Sequence, residues 1–212
     1  MVGREHYPIT SSSPAVAGVA GGQSPPSYAG LSTALLFVFC SLGFLFAAPC
    51  PAVDAGSLAP LFCLTNINAR PAAEGVIPPA GRWCLKHYVG PRATSPAYAV
   101  LLSFFATWCA PCVAELPFLQ GLQQRYAAKG LRTLVVNVEQ EHEDTLRSFL
   151  ADKGIVLPVV KDVHTILMQR YKVTALPNLF LIDGQGTVRL HLAGFDEGSK
   201  TLLEARLQGL LP

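Results

Sequence analysis

Phe104 to Pro117 reads FFATWCAPCVAELP, and no other stretch limits the fold so tightly. An apolar run ends at Trp108, two cysteines follow with two residues between them, and a segment of helical character begins at once. This order predicts a strand that delivers Cys109 and Cys112 to the first turn of a helix. Residues three apart on a helix share a face, and their Cα atoms fall within the roughly 4.4–6.8 Å that a disulfide tolerates. The pair can therefore open and close with little backbone movement. Unpaired N–H groups and the positive end of the helix dipole favour a thiolate there, so Cys109 is expected to be the reactive sulfur. Cys112, one turn deeper, is expected to resolve. Pro111 lies inside the ring, where its fixed φ and missing N–H suit a helix start.

Half of a zinc knuckle has the same spacing, but a structural zinc site needs further ligands. The sequence offers no second CxxC and no HxxxH after it. Cys63 and Cys84 stand alone, and His6, His87, His142, His164 and His191 are scattered without ligand spacing, so they are read as surface or structural. No metal and no cofactor other than the Cys109–Cys112 dithiol is expected. The net charge of +2, with Lys and Arg dispersed, carries no nucleic-acid signal.

The front of the chain is of a different kind. Residues 1–30 are rich in Ser, Pro, Gly and Ala and poor in large apolar side chains, which is the composition of a disordered tail. Residues 31–48 (LSTALLFVFCSLGFLFAA) carry no charge. As a helix they span about 27 Å, enough for a bilayer core and longer than the usual apolar region of a signal peptide. They read as a membrane anchor that places the C-terminal domain on the extracytoplasmic side, with a cleaved and secreted form as the alternative. Pro49 before Cys50 fits poorly with lipid attachment at that cysteine. Residues 49–60 read as a linker.

The remaining residues, 61–212, pattern as one domain. Short strands are expected at Leu61–Thr65 and Trp83–Leu85, forming an N-terminal β-hairpin in which Cys63 and Cys84 lie on neighbouring strands. In an oxidising compartment such a pair can form a structural disulfide. Tyr98–Phe105 is a near-continuous apolar run, as in a central strand covered on both faces. A helix over 110–128 follows, with a kink expected at Pro117. Leu131–Val138 (strand) and 144–153 (helix) complete a parallel crossover unit. A short strand (156–161), a short helix (163–171), an antiparallel hairpin (178–182 and 187–192, turning at Asp183-Gly184) and a closing helix (199–210, capped by Ser199) end the chain. The fold class is α/β, a central mixed sheet flanked by helices.

This order, with the CxxC and a later Leu-Pro, resembles the thioredoxin-like superfamily, related to the redoxins of the AhpC/TSA kind. More narrowly, FFATWCAPCVAELP and VTALPNLFLIDGQG at Val173–Gly186 resemble the membrane-tethered TlpA/ResA type of thiol-disulfide oxidoreductase, over roughly residues 60–210. The resemblance implies Cys109 as attacking cysteine, Cys112 as resolving cysteine and Glu115 as an acidic residue kept near the dithiol. It also implies that Pro177 is cis and faces the CxxC, leaving the Leu176 backbone to pair with an extended substrate, with Trp108 and Pro111 shaping the contact. Leu176 and Phe105 depart from the residues more common in the family, and the 90–98 loop is longer. Those departures bear on substrate choice and leave the chemistry intact.

The resemblance implies a reductant of protein disulfides outside the cytoplasm, re-reduced by an integral-membrane electron donor, with apocytochrome c as a leading substrate in cytochrome c maturation. A disulfide-forming oxidant would use the same residues. A redoxin peroxidase would need a Pro seven and a Thr or Ser three residues before its cysteine, which Leu102 and Ala106 before Cys109, or Phe105 and Cys109 before Cys112, do not supply. A tethered metal- or partner-binding module is the reading of another class.

Overall fold

The computed structural model describes residues 53–68 and 81–212. The tail and the apolar segment 31–48 lie outside the described residues. Among the described residues no helix is long and apolar enough to cross a membrane.

A two-stranded hairpin comes first, β1 (Cys63–Thr65) with β2 (Arg82–Cys84). The rest is a helix-flanked sheet built from β3 (Ala99–Phe105), α1 (Ala110–Tyr126), β4 (Leu131–Asn137), α2 (Glu143–Asp152), β5 (Val159–Lys161), α3 (Ile166–Arg170), β6 (Asn178–Asp183), β7 (Val188–Ala193) and α4 (Glu197–Gln208). The five strands lie in the order β5-β4-β3-β6-β7. β3, β4 and β5 are mutually parallel, β6 runs antiparallel to β3, and β7 runs antiparallel to β6. This is the mixed α/β sheet with an added hairpin that the sequence leads one to expect.

β3 sits at the centre because all seven of its residues are apolar or small, and all are buried. Side chains alternate across a strand. Ala99, Leu101 and Phe105 accordingly enter the core beneath α1, with Leu116, Leu119 and Leu122. Val100, Leu102 and Phe104 enter the opposite core, with Trp83, Tyr171 and Phe180. That alternation also turns Ser103 towards α1. The crossover from α1 to β4 closes at Gly130, whose φ of 83° is left-handed and whose absent Cβ would stand 2.7 Å from the Tyr98 ring. Both conditions favour glycine.

Two local expectations are revised. Residues 53–60, read as part of a linker, lie along the outer edge of the sheet. Gly56 N–H donates to the Val188 carbonyl (2.8 Å), Val188 N–H to Ser57 (2.9 Å) and Ala59 N–H to Gly186 (2.9 Å). The segment covers an edge strand that would otherwise present unpaired backbone groups. Ser199 is not the cap of α4. Asp196 is, because the chain stays extended through that residue, and its carboxylate accepts the Ser199 N–H (2.7 Å) while Ser199 Oγ accepts the Asp196 N–H (2.7 Å), a closed capping box. α1 continues as one helix through Pro117, with the proline on its exposed side.

The hairpin is fastened to β5. Ile67 N–H donates to the Val159 carbonyl (2.8 Å), and Asn68 Nδ2 reaches the carbonyls of Ile155 (3.1 Å) and Leu157 (2.8 Å). Its apolar side is held by Trp83, which stacks on Phe62 at 5.8 Å and lies 4.7 Å from the Tyr88 ring. Cys63 and Cys84 stand directly opposite each other in the hairpin register and are bonded, S–S 2.04 Å.

Candidate active site

β3 ends at Phe105, and the chain then makes a tight turn in which the Cys109 N–H donates to the Ala106 carbonyl at 3.2 Å. Cys109 is the N-cap of α1, in extended conformation, and its sulfur accepts the Cys112 N–H at 3.3 Å. The sulfur occupies the place where a helix leaves its first amides without partners. Cys109 and Cys112 are bonded, S–S 2.00 Å, with Cα atoms 5.2 Å apart. Cys109 retains 6% of its surface and Cys112 none, so an incoming group has access to the first sulfur only. Pro111 is exposed at the start of the helix. Trp108 is 74% exposed. It projects from the turn that precedes Cys109.

Leu176-Pro177 is a cis peptide bond. In the β3–β6 register Asn178 pairs with Phe104, which sets Pro177 and Leu176 beside Phe105 and Ala106, at the base of the turn presenting Cys109. The Pro177 carbonyl accepts the Gly194 N–H at 2.9 Å. Leu176 is half-buried against the apolar clusters on both faces of the sheet, and no backbone hydrogen bond to it is found among the described residues.

Glu115 lies one helical turn beyond Cys112, on the face of α1 that meets the sheet, and is 2% exposed. Ser103 Oγ donates to Glu115 Oε2 at 2.6 Å. Burial dominates and raises the carboxyl pKa from 4.5 to about 7, while the Ser103 hydrogen bond pulls the other way. A carboxyl with that pKa exchanges its proton near neutrality, which is the property of a general acid or base. Among the described residues no cation faces it in a hydrogen bond or ion pair.

One carboxylate of this region carried no recognised signal in the sequence. Glu139, just past β4, accepts the Thr107 N–H (Oε2, 2.8 Å), the Thr107 hydroxyl (Oε1, 2.9 Å) and Asn137 Nδ2 (Oε2, 2.7 Å). One carboxylate thereby holds the turn immediately before Trp108 and Cys109. The sequence signal was position alone. Phe105 and Asn137 are paired in the parallel register, so the residues following each strand emerge side by side. Cys63 and Cys84 are not part of this constellation; they bridge the separate hairpin.

Comparison with known proteins agrees with this arrangement. Residues 91–191 match the AhpC/TSA family. A thiol-disulfide oxidoreductase ResA of Geobacillus kaustophilus is 30% identical over 182 residues, which is 84% of this chain and 92% of the relative. The ResA of Bacillus cereus is 34% identical over 113 residues, 53% of this chain and 64% of that protein. Among solved structures, a thiol:disulfide interchange protein DsbE from Chlorobium tepidum superposes with a TM-score of 0.61 at 28% identity, over 75% of this chain and 99% of that one.

Proposed function

We propose a reductant's cycle for this chain, which belongs to the ResA family of thiol-disulfide oxidoreductases. In the reduced state the Cys109 thiolate attacks one sulfur of a substrate protein disulfide. The substrate S–S bond breaks, one substrate thiolate leaves, and a mixed disulfide joins Cys109 to the other substrate sulfur. Cys112 then attacks the Cys109 sulfur, releasing the second substrate thiolate and closing Cys109–Cys112. Two electrons pass to the substrate, and an integral-membrane dithiol donor returns the pair to the reduced state.

The observation that supports this reading above all is the placement of Cys109. Its sulfur accepts the Cys112 N–H at the N-cap of α1, and Cys109 keeps 6% of its surface exposed whereas Cys112 keeps none. Leu176, whose backbone makes no backbone hydrogen bond among the described residues, offers a short edge to which an extended substrate segment adds as a strand. Trp108 and Pro111, both exposed, complete the contact. Glu115 moves a proton at the Cys112 end of the pair, where the resolving thiol must be deprotonated before it attacks.

Residues 31–48 anchor the protein, and the domain works on the extracytoplasmic side. Apocytochrome c, whose haem-attachment cysteines must be reduced before haem is joined to them, is the proposed substrate. The decisive experiment equilibrates the full chain with glutathione buffers and measures the potential of the Cys109–Cys112 couple, alongside insulin reduction. A potential like that of a strong oxidant, or no insulin reduction, overturns the reductant direction. Cys112→Ser is expected to hold substrates covalently on Cys109. Recovery of none from cells expressing the variant at wild-type level overturns the exchange role.

A further inference from the structure

The second disulfide has the access pattern of an exchange site as well. Cys84 is buried, whereas Cys63 is half-buried and lines a groove of about 440 Å³ between β1 and α3. Phe62, Leu64 and Leu167 form apolar walls, and Val163 and Ile166 stand exposed on the rim. The groove also bears Lys161 and Arg170, and Arg82 places a guanidinium nitrogen 3.2 Å from the Cys63 carbonyl. Asp162, the carboxylate of the groove, is buried and accepts the Met168 N–H at 2.7 Å. Cations lining a groove attract a partner surface that carries acidic side chains.

Two further observations separate this bond from a simple staple. The hairpin is already held without it, by Ile67 and Asn68 on β5 and by Trp83 on Phe62 and Tyr88. Opening the bond therefore leaves the hairpin seated. It is also distant from the first dithiol. β1 lies beyond β5 at the far side of β4, three strand spacings or about 14 Å from β3. Cys109 and Cys112 belong to the core beneath α1, whereas Phe62 and Trp83 beside the second pair belong to the opposite core. The sheet stands between them, so electrons reach Cys63–Cys84 from another molecule.

We propose that Cys63–Cys84 is a second thiol-disulfide exchange site, served by a dithiol protein that docks an apolar, acid-flanked rim into the groove between β1 and α3. The partner's thiolate attacks Cys63 Sγ, the Cys63–Cys84 bond breaks, and Cys84 leaves as the thiolate and takes a proton. The partner's second thiol then attacks its own sulfur in the mixed disulfide, and Cys63 leaves. The partner departs as a disulfide, and Cys63 and Cys84 are both thiols.

The test uses the full chain, wild type and Cys109→Ser/Cys112→Ser, with free cysteines blocked beforehand. Each is treated with reduced thioredoxin as the dithiol protein, quenched in acid, alkylated and mapped by mass spectrometry. Cys63 and Cys84 are expected to be labelled together in both proteins without loss of the cooperative melting transition. Thioredoxin lacking its second thiol is expected to remain bonded to Cys63. Ile166→Glu is expected to slow labelling of this pair at least fivefold while leaving reduction of Cys109–Cys112 unchanged. The proposal is overturned if the pair is labelled only after denaturation, if the trapped thioredoxin is on Cys84, or if Ile166→Glu has no effect on the rate. The wild type supplies these readings should the double variant fail to fold. Insulin reduction by Cys109–Cys112 is scored separately, so either site can fail alone.

Discussion

Glu115→Gln tests the energetics of the buried carboxyl beside the dithiol. In the folded protein with Cys109–Cys112 bonded, the carboxyl holds its proton up to about pH 7, whereas an unfolded glutamate releases it near 4.5. Between those values the native state binds the extra proton, so stability falls as pH rises through the window and levels off above it. The interval corresponds to about 3 kcal/mol, at roughly 1.4 kcal/mol per pH unit. Glutamine keeps an acceptor for the Ser103 hydroxyl and cannot ionise. Its extra amide protons impose a burial cost that is the same at every pH. The difference in unfolding free energy between variant and wild type is therefore expected to shift by about 3 kcal/mol in favour of the variant between pH 4.5 and pH 8.5. Urea unfolding of the oxidised proteins, followed by far-UV circular dichroism at the two pH values, measures it. A difference that stays constant within about 0.5 kcal/mol refutes the assignment of a raised pKa to Glu115, because error in the extrapolation is smaller than the expected shift.

Other consequences can be checked more simply. Glu139→Ala leaves the Thr107 N–H, the Thr107 hydroxyl and the Asn137 amide without their acceptor, and is expected to destabilise the protein by about 2–4 kcal/mol. It is also expected to speed hydrogen exchange at the Thr107 amide more than at amides of β3; equal rates in variant and wild type would show that the carboxylate does not hold the turn. Asp196→Ala opens the capping box of α4 and is expected to lower the urea midpoint with an unchanged slope.

The chemistry at the head of α1 was legible because it is local. Two cysteines three apart after an apolar strand share a helix face whatever surrounds them, and the alternation of β3 and the turn at Asp183-Gly184 report periodicity and backbone preference within a few residues. Family resemblance rests on the same short segments, and it includes the Leu-Pro that precedes β6. The cap of α4 was misread by one turn because Asp196 and Ser199 are both good capping residues, and the backbone path after Gly194 selects between them.

The amino-acid sequence by itself determined the dithiol, its helix, the order of elements and the family. Tertiary structure alone decided which groups meet through space. Glu115 acquires its near-neutral pKa because α1 lies over Ser103, and a burial of that kind depends on packing between elements twelve residues apart. Glu139 reaches Thr107 across 32 residues because β3 and β4 end side by side. Residues 53–60 become a sheet edge cover only when β7 is there to bond. Each of these is a distance between distant parts of the chain, set by register and packing, which local composition does not encode.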